Sequence, residues 1–375
     1  MRLKRLERAW KALWRQAISG VLGTPRRLAT PDWEARPYRV LFLRHDRLGD
    51  MILSTGVMRA IAERRRTVRL DVLASPSNAT LLRHDRWIGR LHVLRRGAPW
   101  SWPGLLLALR RERYDAVIDC MVTGPSLTTL LLMLASGAPV RIGVARRGND
   151  AAYTLPVEPA PEAAHIVEHL AALAAPFGVG PGAADVRPRL TMNAAELSDA
   201  ERTWDAGAAP APRVLVNLSA GRDNRRWPAG RYVAAIRHLR ARLPEARVLL
   251  LADPRDAARA SDVATETGVR WARTDGIRAA LALVATADLV ITPDTSISHA
   301  ASAFGTRAVV LMPSNHYPRW GLYGAPGTHV VSRDRTLTGL ALEPVVEALD
   351  RVTAAVGVGE EMAAEGRRAT EGVGD

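Results

Sequence analysis

From Tyr38 onward the chain alternates short runs rich in Leu and β-branched residues with helix-length segments, and it does so twice. A strand that must cross over through a helix before pairing again builds a parallel sheet with helices on its faces, so this pattern restricts the chain to a doubly wound α/β architecture. The first half predicts strands near 38–43, 68–74, 90–94, 115–119 and 139–143, with helices between them. The pattern restarts at Arg213-Val214-Leu215-Val216-Asn217. Further strands are expected at 246–251, 269–272, 288–292 and 307–312, helices at 228–242, 254–266, 277–286 and 296–304, and a last helix near 343–355. A chain of 375 residues suits two domains of ordinary size. Two Rossmann-like domains with parallel sheets facing across a cleft result, ligands being expected at the carboxyl ends of the strands. The boundary falls in or near 207–212, or slightly earlier after Pro188, where Pro and Gly interrupt the helical pattern. The expected domains are 1–37 (basic helix and linker), 38–190, 191–355 and a flexible tail over 356–375.

In residues 1–23, Leu3, Leu6, Trp10, Leu13, Trp14, Ala17, Ile18 and Val21 recur at intervals of three and four, opposite Arg2, Lys4, Arg5, Arg8, Lys11 and Arg15. This is an amphipathic helix with Trp on its apolar face, which suits an interfacial position on an anionic membrane. The same periodicity serves a helix packed on the protein's own body, and both readings stand. No stretch approaches the roughly 20 apolar residues that span a bilayer, and the N-terminus lacks the apolar core of a signal peptide. The expectation is a cytoplasmic protein, peripheral on the inner membrane.

The net charge of +14 is uneven: residues 1–37 contribute +6, 38–190 contribute +8, and 191–375 balance to 0. An acidic partner for the first half follows, whether nucleic acid, a membrane or a phosphorylated or carboxylated substrate. Nucleic acid is set aside, because Phe and Tyr number only 3 and 6 and no basic stretch is interleaved with stacking aromatics. The single cysteine, Cys120, rules out a disulfide within the chain and a zinc cluster of thiolates. In its apolar run it reads as a small buried hydrophobe.

Three loops carry chemistry. After the first strand, Arg44, Arg47, Gly49 and Asp50 precede Ser54-Thr55. Gly49 permits a tight turn, and Asp50 is expected to open a helix as its N-cap, where the helix dipole lowers its pKa and keeps it ionised. An ionised carboxylate there also suits accepting a proton from a sugar hydroxyl. The second loop, Ser219-Ala220-Gly221 through Arg225-Arg226-Trp227-Pro228, offers small residues for close approach and guanidinium groups matched to phosphate oxygens. The third, Asp294-Thr295-Ser296-Ile297-Ser298-His299-Ala300-Ala301, sets a hydroxyl and free backbone N–H groups at a strand-to-helix turn, a ready anion site. It is followed by 313–321 after the last predicted strand.

Together these loops resemble glycosyltransferase family 9, the ADP-heptose:lipopolysaccharide heptosyltransferase family, over most of residues 38–325. Arg47-Leu48-Gly49-Asp50 with Ser54-Thr55 resembles SxGD followed by TxP, the second loop resembles GAGxxxKRWP, the third resembles DTGxxHLAA, and Trp320-Gly321-Leu322-Tyr323-Gly324 matches WGxYG. The resemblance implies a GT-B fold, an inverting mechanism, no obligatory metal or cofactor, and a nucleotide-sugar donor. By it Asp50 is the general base and Arg225 contacts the donor phosphates. It places Thr295 and Ser296 at the diphosphate turn and Asp256 on the ribose, with Ser219, Ala220, Gly221, Asp294 and His299 also at the donor and Arg44, Arg47 and Gly49 at the acceptor. Arg225 stands in place of Lys in a chain with only two lysines, Ser296 in place of Gly, Gly56 in place of Pro, and 312–318 departs from GPTDP. An anionic glycolipid such as the lipopolysaccharide inner core is the expected acceptor. Transfer from another nucleotide sugar or to a protein, sugar-nucleotide epimerisation, and a non-catalytic membrane-associated nucleotide-binding module remain the alternatives.

Overall fold

The computed structural model describes residues 26–124, 126–145, 150–179, 186–204 and 211–354. The expected N-terminal helix and C-terminal tail lie outside them. The chain divides between Thr191 and Met192 into two compact units.

The first unit runs β1 (Tyr38–Arg44), α1 (Leu48–Arg64), β2 (Val68–Ala74), α2 (Pro76–Leu81), β3 (Ile88–Val93), α3 (Trp102–Arg111), β4 (Ala116–Asp119), α4 (Leu127–Ser136), β5 (Val140–Val144), β6 (Leu155–Val157) and α5 (Ile166–Ala171). Its six strands lie in the order β3-β2-β1-β4-β5-β6, all neighbours parallel. The second unit runs α6 (Ala194–Thr203), β7 (Arg213–Asn217), α7 (Ala229–Arg242), β8 (Arg247–Leu251), α8 (Ala257–Thr267), β9 (Arg270–Ala272), α9 (Ile277–Ala285), β10 (Leu289–Pro293), α10 (Ser296–Phe304), β11 (Arg307–Met312), β12 (Gly327–Val331) and α11 (343–354). Its order, β12-β11-β10-β7-β8-β9, is the same winding read from the other edge. In each sheet the strand order reverses beside the first strand, between β1 and β4 and between β7 and β10. That is where a doubly wound sheet opens a crevice for a ligand.

The central strands β1, β4, β7 and β10 are covered on both faces, which is why they read as unbroken apolar runs rather than alternating ones. Two strands absent from the sequence reading, β6 and β12, are sheet edges. β6 is three residues long and contains Pro156, which only an edge tolerates, and β12 is half exposed. α6 also escaped notice, because AAELSDAERT holds one large apolar residue, Leu197, and so shows no apolar stripe. A capping box between Asn193 and Glu196 starts it, and Arg278 on α9 pairs with Glu196. The last helix buries Val345, Leu349 and Val352 in the same core as Trp227, Tyr232 and Leu289.

Met51 through Met58 are buried without a break on α1, so this helix lies inside the first unit. The segment that returns toward the second unit crosses it closely. Thr55 Oγ1 accepts the Arg189 N–H at 2.9 Å, and a Cβ at Gly56 would lie within contact distance of the Val186 and Arg187 carbonyls. Gly56 therefore answers to backbone, which cannot yield as a side-chain tip does. Gly56→Ala is expected to destabilise by about 1–3 kcal/mol, lowering Tm by roughly 2–4 °C per kcal/mol in a unit of this size. Thermal unfolding of the variant measures this, and an unchanged Tm would mean that the crossing is looser than drawn.

Candidate functional site

Two clusters occupy the two switch points, one in each unit. In the first, β1 delivers Arg44 into the interior at 3 % exposure. Its guanidinium donates to the Cys120 carbonyl (2.7 Å) at the end of β4 and to the Asp50 carbonyl (3.1 Å), and it faces the carboxylates of Asp46 (3.4 Å) and Asp50 (3.8 Å). Expected at the acceptor, Arg44 is a buried brace that ties the β1 loop to β4. Arg47, by contrast, is exposed at the N-terminal boundary of α1, and Gly49 is the second helical residue.

Asp50 is the third residue of α1 and not its N-cap; that position is Arg47, whose side chain makes no capping bond. Nor is its pKa lowered. Burial raises it to about 6, against the pull of the Arg44 charge and with the support of the neighbouring Asp46 carboxylate. The dipole argument from sequence fails because the helix start is packed inside the protein, where desolvation outweighs a partial charge. At pH 7 a group with that pKa is still about 90 % ionised, and it is better matched to taking up a proton than an ordinary aspartate.

Three residues of this first cluster escaped the sequence reading as site residues. Asp46 lies against it. Buried Asp119 accepts from the Met121 N–H (2.9 Å) and the Tyr153 hydroxyl (2.7 Å). His45, lowered to about 4 by burial and the adjacent Arg96, accepts from Arg96 at Nδ1 (2.8 Å), so its proton sits on Nε2 and faces Thr129 Oγ1 (3.2 Å). The side-chain partners of Asp119 and His45 (Tyr153, Arg96 and Thr129) lie tens of residues away, and no local pattern marks them. Cys120 is fully buried and its thiol is pushed well above its ordinary pKa by burial, as an inert core residue should be.

In the second unit, Asn217 at the end of β7 donates to Thr292 Oγ1 (2.9 Å) and Thr295 Oγ1 (3.3 Å), locking the two strand ends together. Thr295 caps α10 through the Ile297 N–H (3.2 Å), and Ser298 reciprocates toward the Thr295 N–H (3.4 Å). The Thr295 hydroxyl is thus engaged locally. Ser296 opens the helix, and its N–H has no intrahelical partner by geometry. Gly221 is exposed with open space where a Cβ would stand, whereas Ala220 is buried and Ser219 Oγ accepts the Asp253 N–H (2.6 Å).

The paired arginines divide. Arg225 meets Asp294 at its carboxylate (3.2 Å) and carbonyl (3.1 Å) and reaches His316 Nε2 (3.3 Å). Arg226 holds Asp256 Oδ1 (3.0 Å) and Asp223 (2.6 Å). Since a guanidinium only donates, His316 Nε2 accepts and Nδ1 carries the proton toward Asp294 Oδ2, 2.8 Å away. Burial works against the Asp294 charge, but the His316 hydrogen bond and the His299 and Arg225 charges prevail and hold its pKa below the usual range. His299, lowered to about 4 chiefly by burial, keeps a buried Nδ1 without a partner among the described residues. His316 lies in 313–321, where the sequence reading assigned no site residue. Trp227 Nε1 donates to the Leu340 carbonyl (2.8 Å) and its ring packs edge-on to Tyr232, so the WP end of this loop is an anchor in the core. Among the described residues no group of three or more His, Cys, Asp or Glu is placed to hold a metal ion, and no helix is long and apolar enough to cross a membrane.

Two doubly wound parallel sheets of identical winding, each with charged and hydroxyl side chains gathered at its switch point, define a GT-B protein. The fold matches a family 9 glycosyltransferase from Veillonella parvula (TM-score 0.74, 16 % identity, 85 % of this chain and 98 % of that one). It also matches Escherichia coli ADP-heptose lps heptosyltransferase II (0.66, 20 %, 85 % and 99 %) and Escherichia coli heptosyltransferase WaaC, solved with ADP-2-deoxy-2-fluoro heptose (0.64, 18 %, 84 % and 99 %). No curated protein matches the sequence. The family description glycosyltransferase family 9 (heptosyltransferase) matches residues 104–339, which take in the second and third loops and residues 313–321. The chain belongs to this family and is a glycosyltransferase.

Proposed function

We propose that the protein transfers a heptose from ADP-heptose, with inversion, to an anionic glycolipid of the lipopolysaccharide inner-core kind, at the cytoplasmic face of the inner membrane. The observation that carries this reading is the Arg225–Asp294–His316 cluster at the start of α10, because it holds a guanidinium in place beside a helix N-terminus. Ser219, Ala220, Gly221, Thr295, Ser296 and His299 complete the donor site in this reading. Asp256, held at Oδ1 by Arg226, is in this reading the carboxylate that accepts from a ribose hydroxyl. Escherichia coli WaaC has been solved with ADP and with an ADP-heptose analogue, which supports the choice of donor.

In the step proposed, Asp50 takes the proton of an acceptor hydroxyl as its oxygen attacks the anomeric carbon. The bond from that carbon to the diphosphate oxygen breaks, and the electron pair leaves with the diphosphate, stabilised by Arg225 and the α10 N-terminus. Exposed Arg47, beside Gly49, meets the acceptor's anionic groups. The +8 charge of residues 38–190 and the basic pattern of residues 1–23 support attachment to an anionic surface.

Thermal shift with ADP, UDP, GDP, CDP and dTDP tests the donor. Selective stabilisation by ADP is expected, about 2.7 kcal/mol at 100 times the dissociation constant. Preference for another nucleotide would replace the donor, and no response to any would sink the nucleotide site. The pH profile tests the base: kcat/KM should be level above about pH 7 and fall tenfold per unit below about 6, because the protonated carboxyl of Asp50 cannot accept a proton. A profile level down to pH 4 would remove Asp50 from that role.

A further inference from the structure

Among the described residues five large apolar side chains are exposed, and three of them, Trp100 (80 %), Leu107 (49 %) and Leu131 (46 %), lie on or beside two packed helices, α3 and α4. Trp100 lies in the single turn that leads into α3, and Pro103, Gly104 and Leu107 follow at helical spacing, all exposed. Leu131 lies on the adjoining helix α4, against which α3 packs. The inner side of the same helix carries Trp102, Leu105 and Leu106 into the core, so the exposed row is a second, outward apolar face.

Arg95, Arg96, Arg110, Arg111 and Arg113 flank this row in the sequence, all exposed, and residues 94–111 contain no acid. The next carboxylate along the chain, Glu112, is buried and paired with Arg39 and Arg90. An apolar tip of Trp, Pro and Leu in a segment whose charges are all cationic is what an anionic lipid surface binds: the rings enter the interface and the arginines meet the headgroups. A second copy is disfavoured, since a two-fold contact would set the arginines against each other. The basic residues 1–23 are disfavoured for the same reason.

We propose that this face docks on anionic phospholipid. It also adjoins the chemistry, for Arg96 bonds to His45 in the Asp50 loop and Trp102 Nε1 donates to the Arg95 carbonyl (3.1 Å). Docking here presents that loop to the membrane surface, which rests on the reading of a lipid-borne acceptor.

The test uses the full chain carrying Leu107→Cys and an environment-sensitive thiol dye, which labels position 107 because Cys120 is buried. Phosphatidylglycerol vesicles should brighten the dye several-fold and shift it to the blue, an effect lost at high salt, and phosphatidylcholine vesicles should not. Trp100→Ser with Leu107→Ser should lower co-sedimentation with phosphatidylglycerol vesicles about tenfold or more, and Trp10→Ser with Trp14→Ser should leave the dye response in place. A dye that stays dark on bound protein, or vesicle binding governed by Trp10 and Trp14 alone, overturns the proposal. So does a bright dye on a dimer without lipid. The ADP thermal shift, run on each variant, separates the two readings: loss of docking with that shift intact sinks the docking face alone, and docking without the shift sinks the donor reading alone.

Discussion

Asp50→Asn is expected to lower kcat by about 10²–10⁴-fold, the usual contribution of a positioned general base, while leaving ADP binding unchanged. The variant should also fold at least as well as the parent. Burial disfavours the charged form of Asp50 in the native chain and raises its pKa from an ordinary aspartate value to about 6, so ionisation weakens the fold as pH rises through that window. A neutral amide of the same shape removes that penalty. Steady-state rates and Tm at pH 7 measure both effects; retained transfer, or a fall in Tm with loss of ADP binding, would make Asp50 a structural residue of the α1 turn.

The second large effect belongs to Arg225. Asp294 has a side chain only 2 % exposed, and Arg225 is its guanidinium partner. Arg225→Ala leaves a buried carboxylate without its guanidinium, and breaking a buried pair from one side costs about 3–5 kcal/mol. Loss of a preorganised donor to the leaving diphosphate is worth about 10²–10³ in kcat besides. Adding Asp294→Asn should restore much of the stability and none of the transfer, which separates the two roles. Arg225→Lys keeps the charge but loses the fork that reaches Asp294 and His316 together, so an intermediate phenotype is expected. Unfolding curves, ADP titrations and rates for the three variants check this, and a fully active Arg225→Ala would place the leaving-group charge elsewhere.

Much of this was legible in the chain. The central strands are apolar enough to be read directly, and the restart at Arg213 marks the second unit. The loops after β1, β7 and β10 are recognisable because their small, charged and hydroxyl residues are consecutive. What escaped has physical causes. β6 and β12 sit at sheet edges, where burial no longer imposes an apolar run. The state of Asp50 depends on packing, which decides between dipole and desolvation and leaves no local trace. His316 matters through Asp294, 22 residues before it, and Arg225, 91 before it, a distance that no motif spans. Arg225 and Arg226 are adjacent in the chain, yet one turns to the end of β10 and the other to the start of α8.

The lock formed by Asn217, Arg225, Asp294 and His316 bears on how this family's donor preference can be redesigned. Each of the three loops of the second unit contributes a residue whose partner sits in another, so a loop transplanted alone from a relative brings in one half of a buried charge pair and strands the other. Recombination should therefore succeed when 217–228, 294–299 and 313–321 travel together, with Trp227 as a fixed seam, and fail piecewise. The unit of exchange is the interlocked set and not the motif.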